Sequence, residues 1–113
     1  MERIIKISNK DYKMKASALT QFSYKNETGR SFLKDLQKLS KVDVEDMEAL
    51  DDITELILKV AYVMVKEADK TQAVNFEEFL SSIENLYDDM TWITEVLELG
   101  CSPISGQLQT NKN

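Results

Sequence analysis

The sequence predicts a mainly α fold: one small domain in which an N-terminal β-hairpin precedes about five helices packed round a central apolar helix. Two observations carry this expectation. The first is the stretch 51–70, DDITELILKVAYVMVKEADK, where Ile53, Leu56, Ile57, Val60, Ala61, Met64 and Ala68 recur at helical spacing. Leu58, Val63 and Val65 widen that stripe until little of the middle circumference is polar. Such a helix must be covered on several sides by the rest of its domain. Asp51, Asp52 and Glu55 lie in its first turns and Lys66 and Lys70 in its last, the polarity a helix dipole favours.

The second observation is the opening of the chain. Ile4, Ile5 and Ile7 are β-branched, and Tyr12 and Met14 alternate with Lys13 and Lys15. Ser8-Asn9-Lys10-Asp11 between them has turn chemistry, with Asn9 able to take a left-handed backbone. A lone hairpin is marginal in water, so its apolar side must lie on the helices or pair with another copy of the chain.

The remaining elements follow in order. Residues 18–26 form a short helix after Ser17 as cap, with Leu19, Phe22 and Tyr24 as its core residues. Thr28-Gly29 breaks it. Residues 30–40 carry Phe32, Leu33, Leu36 and Leu39 at helical spacing, and 42–45 make a short link. Met47 to Leu50 can add a turn to the central helix. A loop at 71–74 leads to a helix that Asn75 and Glu78 open as a capping box, with Phe76, Phe79, Leu80 and Ile83 on its apolar face. Asp88-Asp89 can cap a last helix bearing Met90, Trp92, Ile93, Val96, Leu97 and Leu99, which Gly100 is expected to stop. The domain is thus 1–101, with the hairpin at 1–17, and 102–113 is expected to be a flexible tail rich in Ser, Gly, Gln, Thr and Asn.

Bulk properties narrow the function classes. With 42 % apolar and 30 % charged residues in 113, disorder throughout is not expected. The net charge of −6, with no run of Lys and Arg, argues against nucleic acid as a partner. The longest apolar run, 57–65, contains Lys59 and is too short to span a bilayer, so no membrane association is expected. One cysteine, Cys101, forms no intramolecular disulfide, and no apolar leader with a cleavage site is evident. Together these point to a cytoplasmic setting.

No chemistry-bearing constellation stands out. The absence of His removes the commonest general base and the usual nucleophile pairs. Adjacent acids such as Asp51-Asp52, Glu77-Glu78 and Asp88-Asp89 point about 100° apart on a helix and do not converge. An enzyme is therefore not expected, and no cofactor or metal is implied. One metal-like pattern exists: Glu67, Asp69, Thr71, Ala73, Asn75 and Glu78 match EF-hand ligand positions. The sixth position, where the loop needs Gly, is Gln72, and the charge is low for calcium. A capped helix after a polar loop explains the same residues. The aromatics Phe76, Phe79, Tyr87 and Trp92 are expected chiefly in the core; the alternative is a groove for an apolar partner helix.

The order of these pieces resembles the tail assembly chaperones of long-tailed bacteriophages and prophages of Gram-positive bacteria. Four stretches carry it: IIKISNKDYKMKAS as the opening hairpin, ALTQFSYKNETGRSFLKDLQKL as a helix pair broken at Gly, ITELILKVAYVMVKEAD as the central helix, and NFEEFLSSIENLYDDMTWITEVLEL as the terminal pair. The resemblance implies a non-enzymatic protein of the host bacterial cytoplasm. It would bind the helical tape-measure protein and keep it soluble until the tail tube forms round it. A frameshifted longer form would begin near 102–113. Tyr12, Met14, Phe76, Phe79, Tyr87 and Trp92 are the candidate partner-binding residues, and the hairpin edge allows a homo-oligomer. The competing readings are a small structural or adaptor subunit of a phage particle and a degenerate EF-hand-like calcium module.

Overall fold

The computed structural model describes residues 1–41 and 47–104; the expected link at 42–45 and most of the expected tail lie outside them. The order is β1 (Glu2–Ile7), β2 (Lys10–Lys15), α1 (Ala18–Thr28), α2 (Phe32–Ser40), α3 (Met47–Ala68), a 3-10 turn (Lys70–Gln72), α4 (Phe76–Ser81) and α5 (Thr91–Cys101). A second 3-10 turn, Ser102–Ile104, continues α5, so the first residues of the expected tail are ordered. This is the mainly α domain with an N-terminal hairpin that the sequence predicts.

Helix α3 is the core element. From Ile53 to Val65 only Thr54, Glu55 and Lys59 escape burial. The coverage comes from all round: β2, α1, α2, α4 and α5 each pack against it. Strand β1 lies over α5, and α2 bridges α5 and α3.

The hairpin is antiparallel, with Ile5 opposite Tyr12 and Ile7 opposite Lys10 at the turn. Both turn residues, Ser8 (φ 53°) and Asn9 (φ 69°), take the left-handed backbone that a two-residue type I′ turn requires. The period of two sends Ile5, Ile7, Tyr12 and Met14 inward, all essentially buried, while Ile4, Lys6 and Lys13 face out. The hairpin is held to distant parts of the chain. The Gln72 side chain accepts from Lys13 N (2.8 Å) and donates to Lys13 O (2.8 Å), occupying the outer edge of β2 there. Asn85 N donates to Ser8 Oγ (2.9 Å).

Three local expectations need correction. Leu19 and Phe22 do not join the core; they are 58 % and 61 % exposed. Tyr24 is buried as expected, and Thr20 is buried with it. The reason is polar: the Thr20 hydroxyl donates to Glu67 of α3 (2.5 Å), and the Tyr24 hydroxyl to Asp35 of α2 (2.7 Å). These two anchors, four residues apart, fix the rotation of α1 against its apolar pattern. Second, Gly100 does not stop α5 but lies inside it, buried against α2 and α3. Third, Glu78 does not close its capping box on Asn75; Asn75 caps Glu78 N (2.8 Å), while the Glu78 carboxylate accepts from Val74 N (2.6 Å).

The two described glycines differ in kind. Gly29 ends α1 with φ 73°, donating from its N–H to Lys25 O (2.8 Å). A Cβ on Gly100 would meet Leu36 and Val60 at 3.6 Å and Phe32 at 3.8 Å, ordinary contact distances. Gly29→Ala is therefore expected to lower stability by about 1 kcal/mol through backbone strain. Gly100→Ala should raise it by about 0.5 kcal/mol through helix propensity. Urea denaturation of the two variants checks both signs.

Candidate interaction surface

The residues singled out in the sequence divide into core and surface. Tyr12, Met14, Phe79 and Trp92 are buried to within about one per cent. Phe76 is half-buried, and Tyr87 is 44 % exposed. Three of these rings meet Tyr62 of α3 in one group. Phe79 stands edge-on to Tyr12 at 5.4 Å and tilts against Tyr62 of α3 at 5.9 Å, and Phe76 is edge-on to Tyr62 at 5.5 Å. This aromatic group joins the hairpin to α3 and α4. The Ser82 hydroxyl donates to Phe79 O (2.6 Å), which leaves the Tyr12 hydroxyl to donate to Ser82 Oγ at 2.5 Å. Trp92 Nε1 donates to Leu86 O (3.0 Å), tethering the segment between α4 and α5. Tyr87 shares a hydrogen bond with Thr54 Oγ1 (2.9 Å). As the chain stands alone, these side chains hold it together; Tyr87 alone of the six presents a largely open face.

The EF-hand-like residues are divided among separate local tasks. The Glu67 carboxylate accepts from the Ser17 and Thr20 hydroxyls at the start of α1. Asp69 caps the 3-10 turn through Thr71 N (2.9 Å) and Thr71 Oγ1 (2.6 Å), which hold its carboxyl below the usual range. Asn75 and Glu78 serve α4 as above. Gln72, at the position where a calcium loop needs Gly, is spent on β2 and on Val65 O (3.0 Å). Among the described residues no group of three or more acids and Cys is placed to hold a metal. No described helix is long and apolar enough to cross a membrane. Burial raises the pKa of the Cys101 thiol, which keeps it in its less nucleophilic form.

A polar trio, with Tyr24 and Asp35 buried and Arg30 exposed, ties α1 to α2. Arg30 donates to Asp35 through Nε (2.7 Å) and Nη2 (3.0 Å), and Tyr24 adds its hydroxyl. Burial by itself would raise the Asp35 pKa, but the hydrogen bonds from Arg30 and Tyr24 outweigh it and hold the carboxyl below its ordinary range. Tyr24 is driven well above its ordinary value, first by burial and then by the Asp35 carboxylate.

What the surface offers is an exposed apolar pair. Among the described residues the exposed large apolar side chains are Met1, Ile4, Leu19, Phe22, Val74 and Tyr87. Of these, Leu19 and Phe22 are three residues apart on one helix and so make one ridge. A cleft of about 330 Å³ lies on the Leu19 side, between α1 and the end of α3, lined by Ser23, Val63 and Lys70. One of about 350 Å³ lies on the Phe22 side, toward the α1–α2 turn, lined by Lys25, Gly29 and Phe32. The cations form no run in the sequence, yet they divide by half. Residues 1–41 hold ten Lys and Arg against four Asp and Glu, and residues 42–113 hold four against sixteen. The overall charge of −6 conceals this. A count by halves would have found it in the sequence; the exposure of Leu19 and Phe22 had no sequence signal. Comparison with protein-family models, curated proteins and solved structures finds no match.

Asp35 makes stability depend on pH in a defined sense. Its folded pKa is depressed, so its contribution is fully present above about pH 4, its unfolded value, and is lost as pH falls through the folded one. Asp35→Ala is expected to cost about 2 kcal/mol at neutral pH by leaving the buried Tyr24 hydroxyl unpaired. For Asp35→Asn, the Tm deficit relative to wild type should be largest near neutrality and shrink below about pH 4. A deficit that stays constant down to about pH 2.5 would contradict the trio's role.

Proposed function

We propose that this chain is a non-enzymatic tail assembly chaperone of a long-tailed phage or prophage, acting in the host bacterial cytoplasm on the tape-measure protein. The observation that carries the reading is the order of pieces in the sequence: hairpin, helix pair broken at Gly29, long apolar helix and terminal helix pair. That order is the basis of the resemblance to this family.

The physical demands of the role fit the molecule. A holdase for apolar helices needs exposed apolar side chains next to charge that keeps the complex dissolved. Leu19 and Phe22 supply the first, and the charged surface the second. A small apolar ridge also gives an affinity weak enough for release, since apolar contact area of this size contributes only a few kcal/mol, on the order of 2–4. Homo-oligomers through the hairpin edge have less room than the bare strand implies, because Gln72 occupies β2 at Lys13.

The test is co-expression with the long coiled-coil-rich protein encoded next to this chain. The expected outcome is that this protein is soluble only in company and is pulled down with it. Equal solubility alone, with this chain instead found in finished particles, would replace the chaperone by a structural subunit.

A further inference from the structure

The hairpin has two edges, and they are treated differently. Met1 and Ala16 exchange both backbone hydrogen bonds, Met1 N to Ala16 O (2.8 Å) and Ala16 N to Met1 O (2.9 Å). The antiparallel pairing alternates from there, so Arg3, Ile5 and Ile7 turn their N–H and C=O groups toward β2. Glu2, Ile4 and Lys6 turn theirs the other way, off the outer edge of β1. On β2 the matching outward groups of Lys13 are taken by Gln72. Among the described residues nothing takes those of Glu2, Ile4 or Lys6. An open row of alternate donors and acceptors is what an added strand pairs with.

The ground beside that edge has a definite charge. Helix α5 packs along β1, and near its end Glu98 pairs with Arg3 at 3.2 Å. Toward its start a cleft of about 240 Å³ is lined by Lys6 and Ser8 of the hairpin and by Asp88, Asp89, Thr91 and Glu95. Three carboxylates there stand against one ammonium, while the Arg3–Glu98 pair is balanced in itself. The helical side cannot offset the excess, because residues 71–111 carry seven Asp and Glu and no Lys or Arg. Lys10, the other cation at the turn, lies over the Tyr12 ring at 5.2 Å. On the opposite face of β1, Ile4 is 64 % exposed. An added strand would thus have carboxylates on one side of it and an apolar side chain on the other.

We propose that the outer edge of β1 is the docking site for an extended segment of a partner protein in which basic residues alternate with apolar ones. Its backbone pairs with Glu2, Ile4 and Lys6 and makes a third strand of the sheet. The period of two sends its Lys or Arg side chains toward α5, where Asp88, Asp89 and Glu95 lie, and its apolar side chains to the face of Ile4. The backbone bonds give affinity, and the alternation gives selectivity. A helix has no free backbone groups to offer this edge, and an acidic strand would meet like charge. Pairing with the β1 of a second copy would bring that copy's acidic α5 against this one on the same side of the sheet. The inference does not rest on the chaperone reading and concerns a different surface from the Leu19–Phe22 ridge.

Fluorescent peptides of about ten residues test it on the full chain, one alternating Lys with Val and one alternating Glu with Val. Wild type is expected to bind the Lys–Val peptide, more weakly at high salt, and to bind the Glu–Val peptide at least about tenfold less well. N-methylation then separates strand pairing from plain charge attraction. Methylating only the Lys amides, or only the Val amides, keeps the charge and blocks one edge of the peptide. One of these two peptides should lose binding about tenfold or more and the other keep it. Ile4→Pro removes one outward donor of β1 without touching its ladder to β2, and should weaken the Lys–Val peptide about tenfold as well. Asp88→Lys with Glu95→Lys should reverse the preference between the Lys and Glu peptides. The Tm of each variant checks that it is folded; if Ile4→Pro unfolds the chain, the methylated peptides decide alone. Equal binding of the Lys and Glu peptides overturns the site, and so does binding indifferent to both methylation patterns. A wild-type dimer that Ile4→Pro dissolves overturns it too, since the edge then belongs to a second copy.

Discussion

A helix with almost no polar side is the constraint on which this structure depends. Between Ile53 and Val65 the only partly exposed or exposed residues are Thr54, Glu55 and Lys59, so α3 has one narrow contact with water along its middle. Left bare, its apolar circumference would drive association with any other apolar surface. Every other element is accounted for as part of its cover. The hairpin is the clearest case. Two strands alone do not make a stable unit, and these persist because Ile5, Ile7, Tyr12 and Met14 close over α3 and α5. The six-residue α4 is similarly too short to stand on its own propensity. It is held by Phe79 in the aromatic group and by the Asn75 and Glu78 caps.

Where hydrophobic pattern and polar partners disagree, the polar partners decide. Helix α1 has apolar Leu19 and Phe22 on one side and Thr20 and Tyr24 on another, and the second pair goes inward. Burying a hydroxyl is acceptable when a carboxylate receives it, and Glu67 and Asp35 each do so. Both acids come from other helices, Glu67 from far along the chain. Nothing in the periodicity of α1 could reveal that they wait there. This is why the fold was legible in the sequence while the exposed surface was not. Hairpin, helix order, the Gly29 break and the Ser17 and Asn75 caps follow from local chemistry within a few residues. The rotation of a helix about its axis follows from partners supplied by the tertiary fold.

The same distinction applies to the interaction surface. Large aromatics draw attention as partner anchors, yet Phe79, Tyr12 and Trp92 serve the interior, each with its polar end satisfied where it has one. The charge division was visible in the order of residues, hidden only by summing the whole chain.

The wiring of the hairpin has a consequence for synthesis. Its strands leave the ribosome before the helices, and several of their tertiary partners come late. Ser8 receives Asn85, Arg3 meets Glu98 at 3.2 Å, and Tyr12 rests on Phe79. At about 5–20 residues per second, several seconds separate a translated β1 from the helix that covers it. During that interval Ile5, Ile7, Tyr12 and Met14 hang in solvent beside a growing α3 that is equally uncovered. The nascent chain is thus at its stickiest until α5 is made, and folding of the hairpin must wait for it. Slowing elongation would lengthen that exposure instead of assisting the fold.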